Sequence, residues 1–337
     1  MSFQNVDTGV SASASPAKKL RSEIVIAVGF LTFASVLAFF GRFSWLCDLL
    51  DQFRLPMAIA AALLSMLLLF MARRQQKLLN YAALSSLCVI LNMVPIALMH
   101  ITGKVSLVSN LKADCRLSVL QYNVFYANPN RSKFISYVRE NSPDLLCIEE
   151  VNSDWEKELR GLSDLYPYQR IVPRPDSFGI AMLSRLPMHD TKVLSLCSCE
   201  LPTIVTVIES GNRKILVVVT HPLPPLDDHC VKCRNEQLNK LAEMANNIGQ
   251  SDAYLLCGDL NSVSWSLPEP FYRSLTEVTS SYLISQTWPT LLPEIFRIPI
   301  DHVFCNRGLK PVYQTCKDVC SSDHMGLLTG FSFKEEK

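Results

Sequence analysis

Six short stretches of this chain place carboxylates, amides and imidazoles where β-strands would stop. Asn123 closes Leu-Gln-Tyr-Asn, Glu150 follows Leu-Leu-Cys-Ile-Glu, and His221 ends Val-Val-Val-Thr-His. Asp259 and Asn261 stand in Leu-Leu-Cys-Gly-Asp-Leu-Asn. Asp301 and His302 open Asp-His-Val-Phe, and Asp323 precedes His324 in Ser-Ser-Asp-His. Singly, each reads as a turn former or a helix cap. Together they supply what metal-assisted phosphoester hydrolysis needs. Carboxylates and an amide hold a hard cation such as Mg²⁺, which takes oxygen ligands. An Asp orients a water, and a His backed by an Asp donates to a phosphoryl oxygen or moves a proton. The mixture suits zinc poorly, because His and thiolate ligands do not cluster with these carboxylates at zinc spacings.

The elements that must position these groups lie beyond about residue 115. Leu117–Tyr122, Leu145–Ile148, Ile180–Leu183, Tyr254–Cys257 and Val303–Cys305 read as strands. Ile204–Glu209 and Lys214–Thr220 flank Gly211-Asn212, a hairpin signal. Arg131–Asn141 and Cys233–Ile248 read as helices, the second amphipathic through Leu238, Leu241, Met244 and Ala245. Strands mixed with helices predict an α/β sandwich.

Ahead of that region the chain has another character. Of the 337 residues 49% are hydrophobic and only 19% charged, below the roughly 25% usual for soluble chains. Three uncharged runs, Ile24–Gly41, Leu55–Ala72 and Leu78–Gly103, each reach the ~18 residues that crossing a hydrocarbon core requires. The net charge of +1 hides a split: residues 1–110 carry +5 and residues 111–337 carry −4. The organisation expected is a flexible terminus (1–22), a three-helix anchor (23–104) and a catalytic domain (112–337).

Lys18, Lys19 and Arg21 precede the first run, and Arg73, Arg74 and Lys77 follow the second. Against these six stand Arg42, Arg54, Lys104, Lys112 and Arg116. The excess predicts a cytoplasmic N-terminus and, after three crossings, an outer C-terminal domain. The acidic domain argues against a long nucleic-acid duplex, which needs a basic face. Ten of 12 cysteines lie beyond residue 110. Cys147, Cys257 and Cys305 read as buried thiols. Cys230/Cys233 and Cys316/Cys320 fit either disulfides or a four-cysteine zinc site.

The ordered set Asn, Ile-Glu-Glu-Val, Thr-His-Pro, Gly-Asp-Leu-Asn, Ile-Asp-His and Ser-Asp-His resembles the endonuclease/exonuclease/phosphatase superfamily over residues ~115–333. The resemblance implies a four-layer α/β/β/α sandwich, two mixed β-sheets flanked by helices, here preceded by three transmembrane helices. It implies Mg²⁺, with Mn²⁺ as a substitute, held by Glu150, Asn123 and Asp323. It also implies that Asp259 positions water, that Asn261 holds a phosphate oxygen, and that His324 contacts the scissile phosphate with Asp301 as its partner. His221 would stand at the leaving group. Leu260 and Glu149 replace the more usual Phe and Gln, and His302 is left to packing. Arg174, Arg185 and Arg234 are weaker phosphate-clamp candidates.

His-Pro-Leu-Pro-Pro at 221–225, Arg-Asn-Glu-Gln-Leu at 234–238 and Thr-Trp-Pro at 287–289 resemble bacterial members preceded by membrane helices. That likeness implies a multi-pass protein of the inner (cytoplasmic) membrane with an extracytoplasmic, periplasmic catalytic domain. The leading expectation is a membrane-anchored phosphoesterase cleaving a phosphate mono- or diester, with a lipid-linked phosphate and the bilayer as partners. The alternatives are a nuclease acting on extracytoplasmic nucleic acid and a non-catalytic membrane module. No protein partner is implied.

Overall fold

The computed structural model describes residues 16–102, 104–108, 115–210, 213–248, 253–279 and 284–333. Most of the N-terminal 1–22 segment and the Gly211-Asn212 turn lie outside the described residues.

Helix α1 (Pro16–Leu37) is followed by a 3₁₀ segment, a short helix α2 (Trp45–Gln52), and the long helices α3 (Arg54–Ala72) and α4 (Leu79–Ile101). Three helical stretches, Ser22–Phe43, Arg54–Ala72 and Gln76–Ile101, are long and apolar enough to cross a membrane. Only 28–33% of each apolar window is buried, so Phe30, Leu63, Met66 and Phe70 face outward. A helix apolar all round and outward-facing belongs in lipid rather than in a soluble core. Small polar groups join the helices. Ser65 Oγ meets Ser86 Oγ at 2.7 Å, Ser85 donates to the Ala61 carbonyl at 2.8 Å, and Asn92 donates to Ser35 Oγ at 2.7 Å.

Four residues after α4 the chain enters strand β1 (Val105–Leu107), followed by β2 (Leu117–Asn123), α5 (Arg131–Asn141), β3 (Leu145–Glu149) and α6 (Ser153–Arg160). Next come β4 (Tyr168–Val172), β5 (Ile180–Ser184), β6 (Met188–Ser195), β7 (Pro202–Ser210), β8 (Arg213–Thr220) and α7 (Asp228–Asn246). The chain ends with β9 (Ala253–Asp259), α8 (Glu269–Ser274), β10 (Thr276–Thr279), β11 (Asp301–Cys305), β12 (Leu309–Lys317) and β13 (Gly326–Phe333). One sheet runs β1-β10-β11-β9-β8-β7-β6 and the other β12-β13-β2-β3-β5-β4. Both mix parallel and antiparallel pairs: β2 lies parallel to β3, and β8 to β9.

The two sheets face one another across a core of alternate residues, Leu117 and Val119, Leu145 and Cys147, Val217 and Val219, Leu255 and Cys257, Val303 and Cys305. The intervening residues face helices. Leu120, Tyr122, Leu146 and Ile148 pack with Phe134, Trp155 and Leu159 of α5 and α6. Val218, Tyr254 and Leu256 pack with Leu238, Leu241 and Phe271 of α7 and α8. The four-layer α/β/β/α sandwich follows from this period of two. The thiols expected to be buried at Cys147, Cys257 and Cys305 are buried and outside any disulfide.

Followed to one end of the sandwich, the inward-facing row turns polar. Two residues beyond Val119 stands Gln121, two beyond Cys147 stands Glu149, and two beyond Cys257 stands Asp259. Asp259 is paired in register with Asp301 of β11. Gly258 is needed here, because a Cβ on it would fall 2.0 Å from the Thr220 carbonyl oxygen. The missing side chain lets β8 and β9 close up, which brings the β8 end with His221 beside Asp259.

The cysteine expectation is corrected in part. Cys233 is joined in a disulfide to Cys199, while Cys230, Cys316 and Cys320 are free. Cys320 lies against Tyr122 and Asn128 on the other sheet, so the four cysteines of the zinc reading are not gathered.

Helix α2 is docked on the sandwich. Arg234 of α7 grips Asp48 through both terminal nitrogens, at 3.0 and 2.6 Å, with both side chains almost wholly buried. Gln52 Oε1 accepts from the Val263 amide at 2.7 Å, and Trp265 Nε1 donates to the Asp51 carbonyl at 2.8 Å. Asp48→Ala would leave a buried guanidinium without its carboxylate, a loss of about 3–5 kcal/mol for such pairs. A fall in thermal midpoint of several degrees in detergent is expected; an unchanged midpoint would mean that the docking is not coupled to folding.

Candidate active site

Glu150, His221, Asp259, Asn261, Asp323 and His324 line a single cavity of about 430 Å³ at the polar end of the sandwich. Asn123 and Asp301 lie directly behind them, bonded to these residues. Eight of the positions singled out in the sequence therefore meet in space. They come from the ends of β2, β3, β8, β9 and β11 and from the loop before β13.

The backbone is unusual at two of them. Glu150 has φ 62° and Asn261 has φ 48°, a region that side-chain-bearing residues seldom adopt and that costs of order 1–3 kcal/mol. At Asn261 the cause is local: Asp259 Oδ1 accepts from the Asn261 amide at 2.9 Å, an Asx turn that aims both side chains into the cavity. At Glu150 the turn is held by the Tyr126 amide, which donates to Oε2 at 3.0 Å. Asn123 Nδ2 donates to Glu150 Oε1 at 3.1 Å and to Asp259 Oδ2 at 3.0 Å. In this arrangement Asn123 separates two carboxylates by sharing protons with both. To ligate a cation through Oδ1 its amide has to turn over.

Charge in the cavity is arranged in pairs. His324 Nδ1 stands 2.8 Å from Asp301 Oδ2 and its Nε2 3.7 Å from Asp259 Oδ2. Burial alone would depress this imidazole, but the charge and hydrogen bond of Asp301 outweigh it, and the pKa rises to about 10. His221 is likewise buried, yet Asp259 and Glu150 raise it above its ordinary value. Its Nε2 lies 3.0 Å from Asn261 Nδ2 and 3.4 Å from Asp259 Oδ2. The neutral ring accepts there from Asn261, and the charged ring donates to Asp259. Burial would raise Asp259, but the two imidazoles hold it far below the usual carboxylate range. Burial pushes Glu150 up, against the pull of His221.

Among the described residues, three carboxylates and two imidazoles line this cavity, and no Lys or Arg does. Glu150, Asp259 and Asp323 offer oxygen donors only. Carboxylates that outnumber the cationic groups beside them fit a hard divalent cation, which takes oxygen ligands.

Three weaker candidates are placed elsewhere. Arg234 is wholly buried against Asp48 and does not reach the cavity, so it is a docking residue. Arg174 is satisfied by Asp176, its NH2 2.7 Å from Oδ2, and also lies outside the lining. Arg185 donates to the Ser142 carbonyl at 3.1 Å. His302 is buried between Glu277 Oε1 and the Ser262 carbonyl, 2.8 Å from each, in keeping with packing.

Other participants carry no chemical motif. Gln121 Nε2 bridges Glu149 Oε2 at 2.9 Å and Asp301 Oδ1 at 3.0 Å. Burial, then the Asp301 charge, push the Glu149 carboxyl well above its ordinary value. The inward period of β2 is the one signal that could have pointed to Gln121. Trp288 Nε1 donates to Asp323 Oδ2 at 3.2 Å. Leu49, Gln52 and Phe53, from between two of the apolar helices, complete the wall, and nothing in the sequence marks them.

The sequence profile of the Endonuclease/Exonuclease/phosphatase family matches residues 120–324. Among curated protein sequences, none matches the chain. Among solved structures, an endonuclease/exonuclease/phosphatase from Bacteroides vulgatus aligns with a TM-score of 0.54 at 15% identity, covering 66% of this chain and 100% of that one. TDP2 from D. rerio, complexed with a single-strand DNA product, aligns at 0.54 and 16% identity over 64% and 98% of the two chains. The human nocturnin catalytic domain with bound sulfate gives 0.50 and 19% over 66% and 97%. At these identities the likeness establishes the fold alone.

Proposed function

As the chain belongs to the Endonuclease/Exonuclease/phosphatase family, a family of metal-dependent phosphoester hydrolases, we propose that it is a membrane-anchored, Mg²⁺-dependent phosphoesterase. The observation that carries this reading is the cavity itself: Glu150, Asp259 and Asp323 with His221 and His324, and no lysine or arginine among the described lining residues. Bound there, Mg²⁺ would neutralise charge gathering on the phosphate oxygens.

The protein's own groups have these roles. Glu150 would be the principal ligand of the cation, supported by Asn123 and Asp323. Asp259, ionised through its two imidazoles, orients the water that attacks phosphorus. His324, kept protonated by Asp301, donates from Nε2 to a phosphoryl oxygen. Asn261 binds a second oxygen, and His221 supplies the donor for the departing oxygen.

The division into an anchor (23–104) and a catalytic domain (112–337) is supported by the three apolar helices. The docked α2 supports an odd number of crossings, because it puts the segment between the first two spans on the same side as the sandwich. An extracytoplasmic, periplasmic domain on the inner membrane is supported by the Lys/Arg distribution and by the Cys199–Cys233 disulfide, since such bonds persist in oxidising compartments. A substrate that is itself lipid-linked fits an enzyme held at the bilayer.

Purified full-length protein is expected to release p-nitrophenolate from bis-p-nitrophenyl phosphate or from the corresponding monoester. EDTA should abolish this, and Mg²⁺, or Mn²⁺ in its place, should restore it. Turnover insensitive to chelation would sink the reading. The nuclease alternative is favoured by one finding, the fold shared with a protein complexed with single-strand DNA product. Parallel assays on polyprenyl diphosphate, phospholipid and single-stranded DNA decide it, and cleavage of DNA alone would make the chain a nuclease.

A further inference from the structure

The cavity is lined by residues of two unlike kinds. Glu150, Asp259, His221 and His324 bring the polar groups. Leu49, Phe53, Pro224, Leu226 and Ile298 bring apolar wall. Leu49 and Phe53 belong to the segment between two apolar helices, and α3, a candidate membrane span, begins at Arg54, one residue past the wall. Part of the apolar wall therefore adjoins the first residue of a candidate span.

A second feature lies beside it. The turn at 290–297 follows Trp288 of the wall, and its Glu294–Phe296 portion packs against α3. It displays Leu291 (91% exposed), Leu292, Ile295 (52% exposed) and Phe296 to the outside. Arg297 holds the turn in this shape, donating to the Leu292 carbonyl at 2.8 Å and the Thr290 carbonyl at 3.1 Å. In the cavity wall itself Leu226 is 67% exposed. Apolar side chains grouped this way on a water-facing surface are costly. Continuity with the surface of a span names the occupant, which is hydrocarbon.

We infer that the cavity draws its substrate from the bilayer, the hydrocarbon chain of a lipid phosphate lying along Leu49, Phe53 and Leu226 while the turn at 290–297 dips into the interface. This rests on the phosphoesterase reading and adds to it the surface that holds the lipid's hydrocarbon chain. The chain is held by burial of apolar surface alone, so affinity grows with chain length. The phosphate, at the polar groups, is reached without the lipid leaving the membrane.

The test uses two esters with the same leaving group, p-nitrophenyl methyl phosphate and p-nitrophenyl hexadecyl phosphate, or methyl and hexadecyl phosphate if the enzyme proves a monoesterase. Full-length protein in phosphatidylcholine nanodiscs should turn over the long-chain ester with at least a tenfold higher kcat/KM. In Leu226→Glu and Leu291→Glu the ratio of the two values should fall at least tenfold. Both side chains are exposed, and the thermal midpoint of each variant reports its folding. A ratio near one in the wild type would overturn the inference and leave phosphoester hydrolysis intact. So would an unchanged ratio in both variants, which would mean simple partitioning into lipid or a protein partner on the turn. If neither ester nor either monoester is cleaved, the phosphoesterase reading itself fails.

Discussion

Glu150→Gln is expected to lower kcat/KM about a thousandfold, equivalent to a loss of about 4 kcal/mol of transition-state stabilisation. The substitution keeps the shape of the side chain and an oxygen to accept from the Tyr126 amide, while removing the charge that would hold the cation. Unfolding would not explain such a loss. Glu150 lines a cavity with no lysine or arginine among its described lining residues, and burial pushes its carboxyl upward by more than the pull of His221 and His324 lowers it. Neutralising it removes that net cost of burying a charge, so the thermal midpoint measured without metal should stay level or rise. Midpoint and rate moving in opposite directions are the signature of a residue kept for chemistry at the expense of stability. Loss of activity within tenfold of wild type would remove Glu150 from the role of principal ligand.

Where the site lay could be read from sequence because the alternation that builds the inter-sheet core also delivers its polar residues. Leu255, Cys257 and Asp259 share one face of β9, and any reader of a period-two pattern sees the row end in a carboxylate. Apolar runs without a charge announced the three long helices equally plainly. Other elements were hidden by their composition. β12 contains Pro311, tolerated because the strand is at a sheet edge, where its pairing slips between Pro311 and Tyr313. β13 carries Gly326 and Gly330. At Gly330 a Cβ would fall 2.0 Å from the Tyr313 ring, so what looks like a loop residue is a packing requirement. β6 is polar and shifts register between His189 and Lys192.

The arginines show a different limit. Arg234 near His221 in a phosphate-handling chain suggests a clamp, and no local pattern distinguishes that from an ion pair with Asp48, 186 residues away. The same long-range docking makes Leu49 and Phe53 part of the candidate cavity. Strand-end chemistry is local and readable from spacing. The choice of substrate depends on which distant segment closes the cavity, and that is a tertiary fact.

Asp301→Asn is expected to reduce kcat/KM about a hundredfold to ten-thousandfold, the range by which positioned proton donors act, and to change the pH profile in a stated direction. His324 is buried, which alone would favour the neutral ring. Its charge depends first on Asp301, 2.8 Å from Nδ1, and then on Asp259 and Asp323. With Asp301 present the pKa is raised to about 10, so Nε2 carries its proton at every physiological pH. Because this lies above the roughly 6.5 of an unfolded chain, the pair contributes stability that is complete below about pH 6.5 and is lost as pH rises toward 10. Asparagine keeps the shape and one oxygen to accept from His324 Nδ1, turns its NH2 toward the Gln121 amide and removes the charge, so burial regains weight and the value must fall. The alkaline limb of kcat/KM should move to lower pH in the variant, and the stability gained on acidification should shrink with it. Rate profiles and thermal midpoints from pH 6 to 10 measure both. A variant with reduced activity but an unmoved alkaline limb would show that Asp301 orients the ring without setting its charge. The donor role assigned to His324 would then have to pass to His221.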